Sequence, residues 1–177
     1  MRVIGGEFRS RPLKSIPGLD VRPTPDRLRE ALFSILAPRI EGVVFVDVFA
    51  GTGAVGIEAL SRGAARAIFL ERDRGAVRVI RENLRSLGAE DRAEVRPGRA
   101  TATLPLVTGD IVFADPPYRL EGEYDAVFRI LGATPPALLI VQHASRFDPG
   151  DSHASLRRSR LLKQGDNSLS FYVGPAF

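Results

Sequence analysis

Val43-Val44-Phe45-Val46-Asp47-Val48-Phe49-Ala50-Gly51-Thr52-Gly53-Ala54-Val55-Gly56 joins a nearly unbroken apolar run to a glycine turn and the start of a helix. An apolar run without alternation is the pattern of a parallel strand buried on both faces. The glycines let a ligand approach the backbone closely, outside the carboxyl end of that strand. Asp47, Phe49, Gly51 and Gly53 are therefore candidate cofactor-binding residues. The turn is a poor phosphate loop, because no Gly-Lys-Ser/Thr opens the helix. Taken alone, it fits a cofactor loop or a structural turn equally well.

Downstream the alternation continues. A helix over 54–62 closes at Gly63, and Ala67-Ile68-Phe69-Leu70-Glu71 reads as a second strand. The next helix carries Val77, Ile80, Leu84 and Leu87 on one face, Arg78, Arg81 and Arg85 on another, and Gly88 at its end. Ala93-Glu94-Val95, 110–114 and 137–141 are further strands, with a helix around 123–131. Strands alternating with helices predict an open, doubly wound, mostly parallel sheet. Stretches 156–162 and 168–173, joined at Gly165-Asp166-Asn167, predict an antiparallel hairpin at its edge and seven strands in all.

Upstream, Thr24 before Pro25 reads as a helix N-cap with proline at the first helical position. Leu28, Ala31, Leu32, Ile35 and Leu36 follow on one helical face, and Pro38 ends the helix. Residues 2–16 read as two extended pieces around Arg9-Ser10, a hairpin too small to fold alone. The chain thus divides into a β-hairpin extension, 1–22, and one α/β domain, 23–177.

Two further stretches narrow the chemistry. Glu71 ends the second strand twenty residues after Gly51, where an acid accepts both hydroxyls of a ribose. Asp73 is available to cap the following helix, which leaves Glu71 for the ligand. Asp115-Pro116-Pro117-Tyr118 follows the fourth strand, so it lies at the same sheet edge. Two prolines fix the backbone and remove two donors, leaving carbonyls and a carboxylate as acceptors. Acceptors beside an aromatic ring suit a planar amine on a nucleobase, with Tyr118 stacking on the base. That points to S-adenosylmethionine rather than a nicotinamide cofactor.

The composition is that of a globular domain: 177 residues, 44% hydrophobic and 26% charged. Without cysteine there are no disulfides, thiolate metal sites or cysteine nucleophiles. His143 and His153 alone leave little for a zinc site, so no metal is expected. No apolar run approaches a membrane span, and the first residues lack a signal-peptide core, so a cytoplasmic protein is expected. The net charge of +4 resides in the first 40 residues. There Arg2, Arg9, Arg11, Lys14, Arg22, Arg27, Arg29 and Arg39 face only Glu7, Asp20, Asp26 and Glu30. A basic head on a neutral body fits a polyanion, usually nucleic acid.

The Asp-Pro-Pro-Tyr tetrad resembles that of the S-adenosylmethionine-dependent amino-methyltransferases. The likeness extends through Arg2-Val3-Ile4-Gly5-Gly6-Glu7-Phe8-Arg9-Ser10-Arg11-Pro12-Leu13, through the block from Arg22 to Glu30, and through 47–56 and 58–64. It continues in Asn83-Leu84 and the tail from Lys163 to Tyr172. Over essentially its full length the chain is similar to the RsmD-type family. The resemblance implies a class I, Rossmann-like methyltransferase domain that methylates the exocyclic N2 of a guanine, G966, in 16S ribosomal RNA. A monomer acting on an assembling small subunit, without membrane or metal, is expected. By the same resemblance Asp115, Pro116 and Tyr118 are catalytic, and Asp47, Phe49, Gly51, Gly53, Glu71, Arg72, Arg99 and Asp115 hold S-adenosyl-L-methionine. Arg9, Arg11, Arg22, Thr24, Arg27 and Tyr118 are its RNA-binding candidates, with Arg9 and Arg11 expected beside the methyl-transfer site. Arg99 stands where relatives commonly carry Asp, and Gln142-His143 replaces a common Glu-His. The alternatives are an adenine-N6 methyltransferase, a protein-glutamine methyltransferase, and an RNA-binding module with a vestigial cofactor pocket.

Overall fold

The computed structural model describes residues 1–18 and 24–175. The elements run α1 (Asp26–Leu36), β1 (Val44–Val48), α2 (Ala54–Ser61), β2 (Arg66–Glu71), α3 (Arg74–Leu87), β3 (Ala93–Pro97) and α4 (Ala100–Thr103), then β4 (Ile111–Ala114), α5 (Glu121–Ala133), β5 (Leu138–Ala144), β6 (Ser152–His153), β7 (Leu156–Gln164) and β8 (Asn167–Val173). They build one sheet in the order β3-β2-β1-β4-β5-β8-β7-β6. The first five strands are parallel, and β8, β7 and β6 add antiparallel. The strand order reverses between β1 and β4, and ligands of open α/β sheets bind at the carboxyl ends beside such a reversal. Asp47 is the penultimate residue of β1 and Asp115 follows β4, so both acids stand at that crevice.

Strand residues alternate between two cores. Phe45, Phe113, Ile140 and Phe171 pack with α1 and α2, while Val46, Val48, Val112 and Val141 pack with α5 on the other face. Helix α2 lies so close to the sheet that a Cβ on Gly56 would sit 2.4 Å from the Phe69 ring. That glycine serves helix–strand packing. Asp73 caps α3 by accepting the Ala76 N–H at 2.8 Å, and Gly88 ends it in the left-handed region.

Three expectations need correction. The sheet has eight strands, because Ser152–His153 forms a two-residue strand on the outer edge of β7. Thr24 does not cap α1: the N-cap position falls on Pro25, and the Thr24 hydroxyl bonds elsewhere. The buried stripe of α1 is Leu28, Arg29, Leu32, Phe33 and Leu36, rotated from the expected face to include an arginine.

The N-terminal segment is a short hairpin, with one bridge between Arg2 and Pro12. Val3, Phe8 and Leu13 join the core over α2 and α3. The Glu58 carboxylate accepts the Ile4 and Gly5 N–H groups at 2.8 and 2.9 Å, and Ser61 Oγ accepts Phe8 N–H at 2.9 Å. Arg29, fully buried, donates to Arg2 O at 2.7 Å and lies 3.7 Å from Glu58. Helix α3 runs from the carboxyl edge back to the amino edge. Arg11 donates to Ser86 O in its last turn at 2.6 Å, and Glu7 pairs with Arg92 just before β3. The hairpin tip therefore sits at the amino edge, and Arg9 and Arg11 are not beside the crevice. The expected boundary at 22/23 and Arg22 itself lie outside the described residues.

Candidate active site

Every side chain at the crevice is placed by a strand end or a cap. The Asp47 carboxylate, buried at the end of β1, accepts the Gly56 N–H at 3.0 Å and so fixes the start of α2. Phe49 follows with φ of 62°, a left-handed conformation that is a strained outlier for a bulky residue. Strain of this kind clusters at ligand sites, and Phe49 lines two adjoining clefts. Gly51 and Gly53 also have positive φ, of 59° and 82°, which let the loop curl into α2.

The first cleft is bounded by Phe49, Leu70, Glu71, Arg72, Arg99 and Leu120, with Ala100 and Pro117 beside them. Glu71 Oε2 accepts the Gly51 N–H at 2.8 Å, and Oε1 accepts the Asp73 N–H at 2.9 Å. The acid thus ties the glycine turn to the end of β2 and keeps a second lone pair on each oxygen toward the cleft. Arg99 is exposed at the N-cap of α4. The second cleft is bounded by Thr24, Asp47, Gly51, Thr52, Phe113 and Asp115. Burial raises the Asp47 carboxyl well above the ordinary carboxylate range, against the Gly56 N–H that favours its charge. Asp115 is pushed up to about 7, again by burial. A positive charge placed in the space that both acids line would favour their ionised forms.

In the tetrad, Pro116 is buried and Pro117 exposed, and the Pro117 carbonyl accepts the Leu120 N–H at 2.9 Å. The Tyr118 hydroxyl donates to Asn167 Oδ1 at 2.6 Å. Gln142, at the end of β5, accepts from Thr24 Oγ1 at 3.1 Å. His143 is buried, with contacts to Ser170 Oγ and Ala144 O, and burial lowers its pKa. It faces away from the acids, in β5, as a packed histidine. Arg27 is exposed in the first turn of α1, three residues after the cleft residue Thr24. The structure thus brings together Asp47, Phe49, Gly51, Glu71, Arg72, Arg99, Asp115 and Thr24 as cleft residues, with Pro116 and Tyr118 adjoining them. Sequence reasoning assigned Gln142 and Asn167 no role here. An amide at a strand end and an asparagine in a turn carry no signal until the fold is known.

The family model described as conserved hypothetical protein 95 matches residues 1–173. The chain belongs to this family, the RsmD-type methyltransferases. Ribosomal RNA small subunit methyltransferase D of Escherichia coli is 44% identical over 122 residues, which cover 67% of this chain and 61% of that protein. The same enzyme of Haemophilus influenzae is 37% identical over 68% of this chain and 65% of its own length. Among solved structures, Escherichia coli yhhF superposes with a TM-score of 0.86 at 35% identity, covering 100% of this chain and 99% of that one. An RNA methyltransferase of Salinibacter ruber, solved with S-adenosyl-L-homocysteine, has a TM-score of 0.71 at 19% identity over 88% of this chain and 95% of its own, a likeness of fold. The RsmD-type chain described here is therefore a class I methyltransferase in architecture. Among its described residues, no helix is long and apolar enough to cross a membrane.

Proposed function

We propose that this protein methylates the exocyclic N2 of a guanine in 16S ribosomal RNA, G966, with S-adenosyl-L-methionine as methyl donor, as part of small-subunit assembly. One observation carries the reading most: an amine-accepting tetrad stands at the sheet's reversal, with Asp115 sharing a cleft with Asp47 and the glycine turn. The names of the RsmD relatives support the RNA substrate. The cleft pair fits the cofactor by its chemistry. Glu71 suits the ribose hydroxyls, and the slot of Phe49, Leu70, Ala100 and Leu120, bordered by Arg99, suits a flat base. Asp47 and Asp115 suit a ligand end that carries positive charge. When bound, S-adenosylmethionine supplies an electrophilic sulfonium methyl.

The chain's own residues do the rest. The guanine amine is a poor nucleophile because its lone pair is delocalised into the ring. The Asp115 carboxylate and the Pro116 carbonyl accept its two hydrogens, which favours a more pyramidal nitrogen and stabilises the positive charge that develops there. The Tyr118 ring stacks on the base and holds the attack geometry. After transfer the amine is acidic, and its proton passes to Asp115 or to water. The guanine must leave its stack to reach the crevice, so a single-stranded or opened loop is the substrate form. Arg27 and Thr24 flank that entrance. Arg9 and Arg11 bind phosphates at a distance from it.

Labelled S-adenosylmethionine supplied with naked 16S RNA, partially assembled small subunits or DNA tests the reading. Label recovered as N2-methylguanine from RNA is the expected product. Label in DNA adenine, or in none of the three, would overturn it.

A further inference from the structure

Around the tetrad's tyrosine, four stretches far apart in the chain meet through side-chain hydrogen bonds. Tyr118 Oη donates to Asn167 Oδ1 at 2.6 Å, and Gln142 Nε2 donates to Tyr118 Oη at 3.4 Å. Thr24 Oγ1 donates to Gln142 Oε1 at 3.1 Å. The connector before α1, the tetrad, the end of β5 and the β7–β8 turn are thus linked in one line.

Topology explains how the last of these arrives. A strand added antiparallel to β5 begins where β5 ends, so the turn before β8 lies at the carboxyl edge. Asn167 pairs with Ala144, the last residue of β5. That turn is tied down as well. Ser145 N–H donates to Asp166 O at 2.8 Å, and Ser145 Oγ donates to Gly165 O at 2.8 Å and contacts Ser168 Oγ at 2.8 Å. Asn167 is therefore a fixed acceptor. Gln142 has the right chemistry to complete the line, because an amide both accepts from Thr24 and donates to Tyr118. With its lone-pair side met by Gln142, the Tyr118 hydroxyl directs its proton to Asn167.

We propose that Asn167 is a positioning residue for a purine target: it fixes the Tyr118 ring as the stacking wall beside Asp115, with Gln142 as the second anchor. The role rests on the methyltransferase reading, and it assigns a task to the antiparallel tail that the cofactor clefts do not use. A tyrosine held at its hydroxyl keeps the ring plane, and hence the base plane, at one angle to the acceptors. A small misplacement at this step costs rate steeply.

Asn167→Leu keeps the size of the side chain and removes the acceptor, whereas Asn167→Asp keeps an acceptor for the tyrosine proton. Single-turnover transfer to 16S RNA or partially assembled subunits is measured alongside S-adenosylmethionine affinity and melting temperature. Asn167→Leu should slow transfer roughly tenfold to a hundredfold, with cofactor affinity unchanged. Asn167→Asp should restore most of the rate. Tyr118→Phe should match Asn167→Leu, and the double variant should be no slower than either single one. Wild-type rates in Asn167→Leu, losses that multiply in the double variant, or equal loss in Asn167→Asp would each overturn the positioning role. Absence of transfer by the wild-type protein would instead overturn the methyltransferase reading itself, and this role with it.

Discussion

Asp115 is the residue on which the proposed chemistry turns, and its ionisation makes the reading measurable. Its carboxyl is pushed up to about 7, so it is protonated below neutrality and charged above. In the proposed mechanism the charged form is the acceptor for the amine hydrogens. The value of kcat/KM for the cofactor, which reports groups on the free protein, should fall about tenfold per pH unit below about 7 and level off above it. Asp115→Asn keeps a carbonyl acceptor and loses this group's titration, so the step near 7 that belongs to Asp115 should disappear and the rate should be lower by about 100-fold. A flat wild-type profile would remove Asp115 from this role. The same shift has a stability sign. Because the folded pKa lies above the unfolded one, the folded state retains a proton that the unfolded chain has released, and the fold loses stability as pH rises from about 4 to about 7. In urea titrations Asp115→Asn should shrink that loss. Glu71 works differently, through the Gly51 and Asp73 N–H groups it holds and the ribose it is proposed to meet. Glu71→Ala should weaken S-adenosylmethionine binding by more than about tenfold, the worth of roughly 1.5–3 kcal/mol for charge-assisted hydrogen bonds. Calorimetry showing unchanged affinity in a folded variant would rule out the ribose assignment.

Among the elements, α2 and the N-terminal hairpin depend on one buried ionic cluster. Glu58 accepts from two backbone N–H groups and from Arg62 Nε at 2.9 Å, and it lies beside the buried Arg29 guanidinium. Burial lowers the Arg29 pKa, against the pull of Glu58 and Asp26. Removing the arginine would leave Glu58 buried with less compensation, which costs about 3–5 kcal/mol in comparable sites. Arg29→Met should therefore unfold at clearly lower urea and expose residues 1–18 to protease. A loss within about 1 kcal/mol, the usual range of an exposed pair, would show that the hairpin is held without the Arg29 ion pair. Gly6→Ala should also undock the hairpin, since at φ of 80° its Cβ would lie 1.9 Å from Ser61 O. The parallel half of the sheet was legible in sequence because its strands are continuous apolar runs, and α3 because its period is strong and Asp73 and Gly88 mark its ends. The glycine turn, Glu71 and the tetrad were legible because strand ends fix where they lie. The buried face of α1 was legible in part: Leu28, Leu32 and Leu36 are in the core and Ile35 packs against it, whereas Arg29, which turns inward to meet Glu58, and Phe33 were not foreseen. A lone acid in the otherwise apolar run Ala54-Val55-Gly56-Ile57-Glu58-Ala59-Leu60 was the available signal that a buried cation must exist. The short β6 and α4 lack any periodicity to read.

Across the whole molecule, the basic head is divided between two edges. Thr24 lines the crevice and Arg27 is exposed in the following first turn of α1, whereas Arg11 lies at the hairpin tip near the last turn of α3, with Arg9 two residues away. The exposed arginines Arg78, Arg81 and Arg85 on α3 lie between the two edges, with Arg85 in its final turn. A phosphate backbone that follows this face would meet Arg9 and Arg11 well away from the reacting amine. Their contribution is then to affinity, not to the chemical step. Changing both to Ala should weaken RNA binding and reduce the slope of log affinity against log salt by up to about two, one for each phosphate no longer neutralised. The rate of transfer from the saturated complex and the affinity for S-adenosylmethionine should stay at wild-type values. Arg11 also donates to Ser86 O, so Arg11→Lys, which retains the charge, should preserve the slope even if that bond is broken. An Arg9/Arg11 double variant with the wild-type salt slope would mean that both arginines are solvated positions and that the RNA leaves the protein at the crevice. A double variant with the wild-type slope but slower saturated transfer would assign the hairpin to the chemical step, through its packing on α2 and the glycine turn.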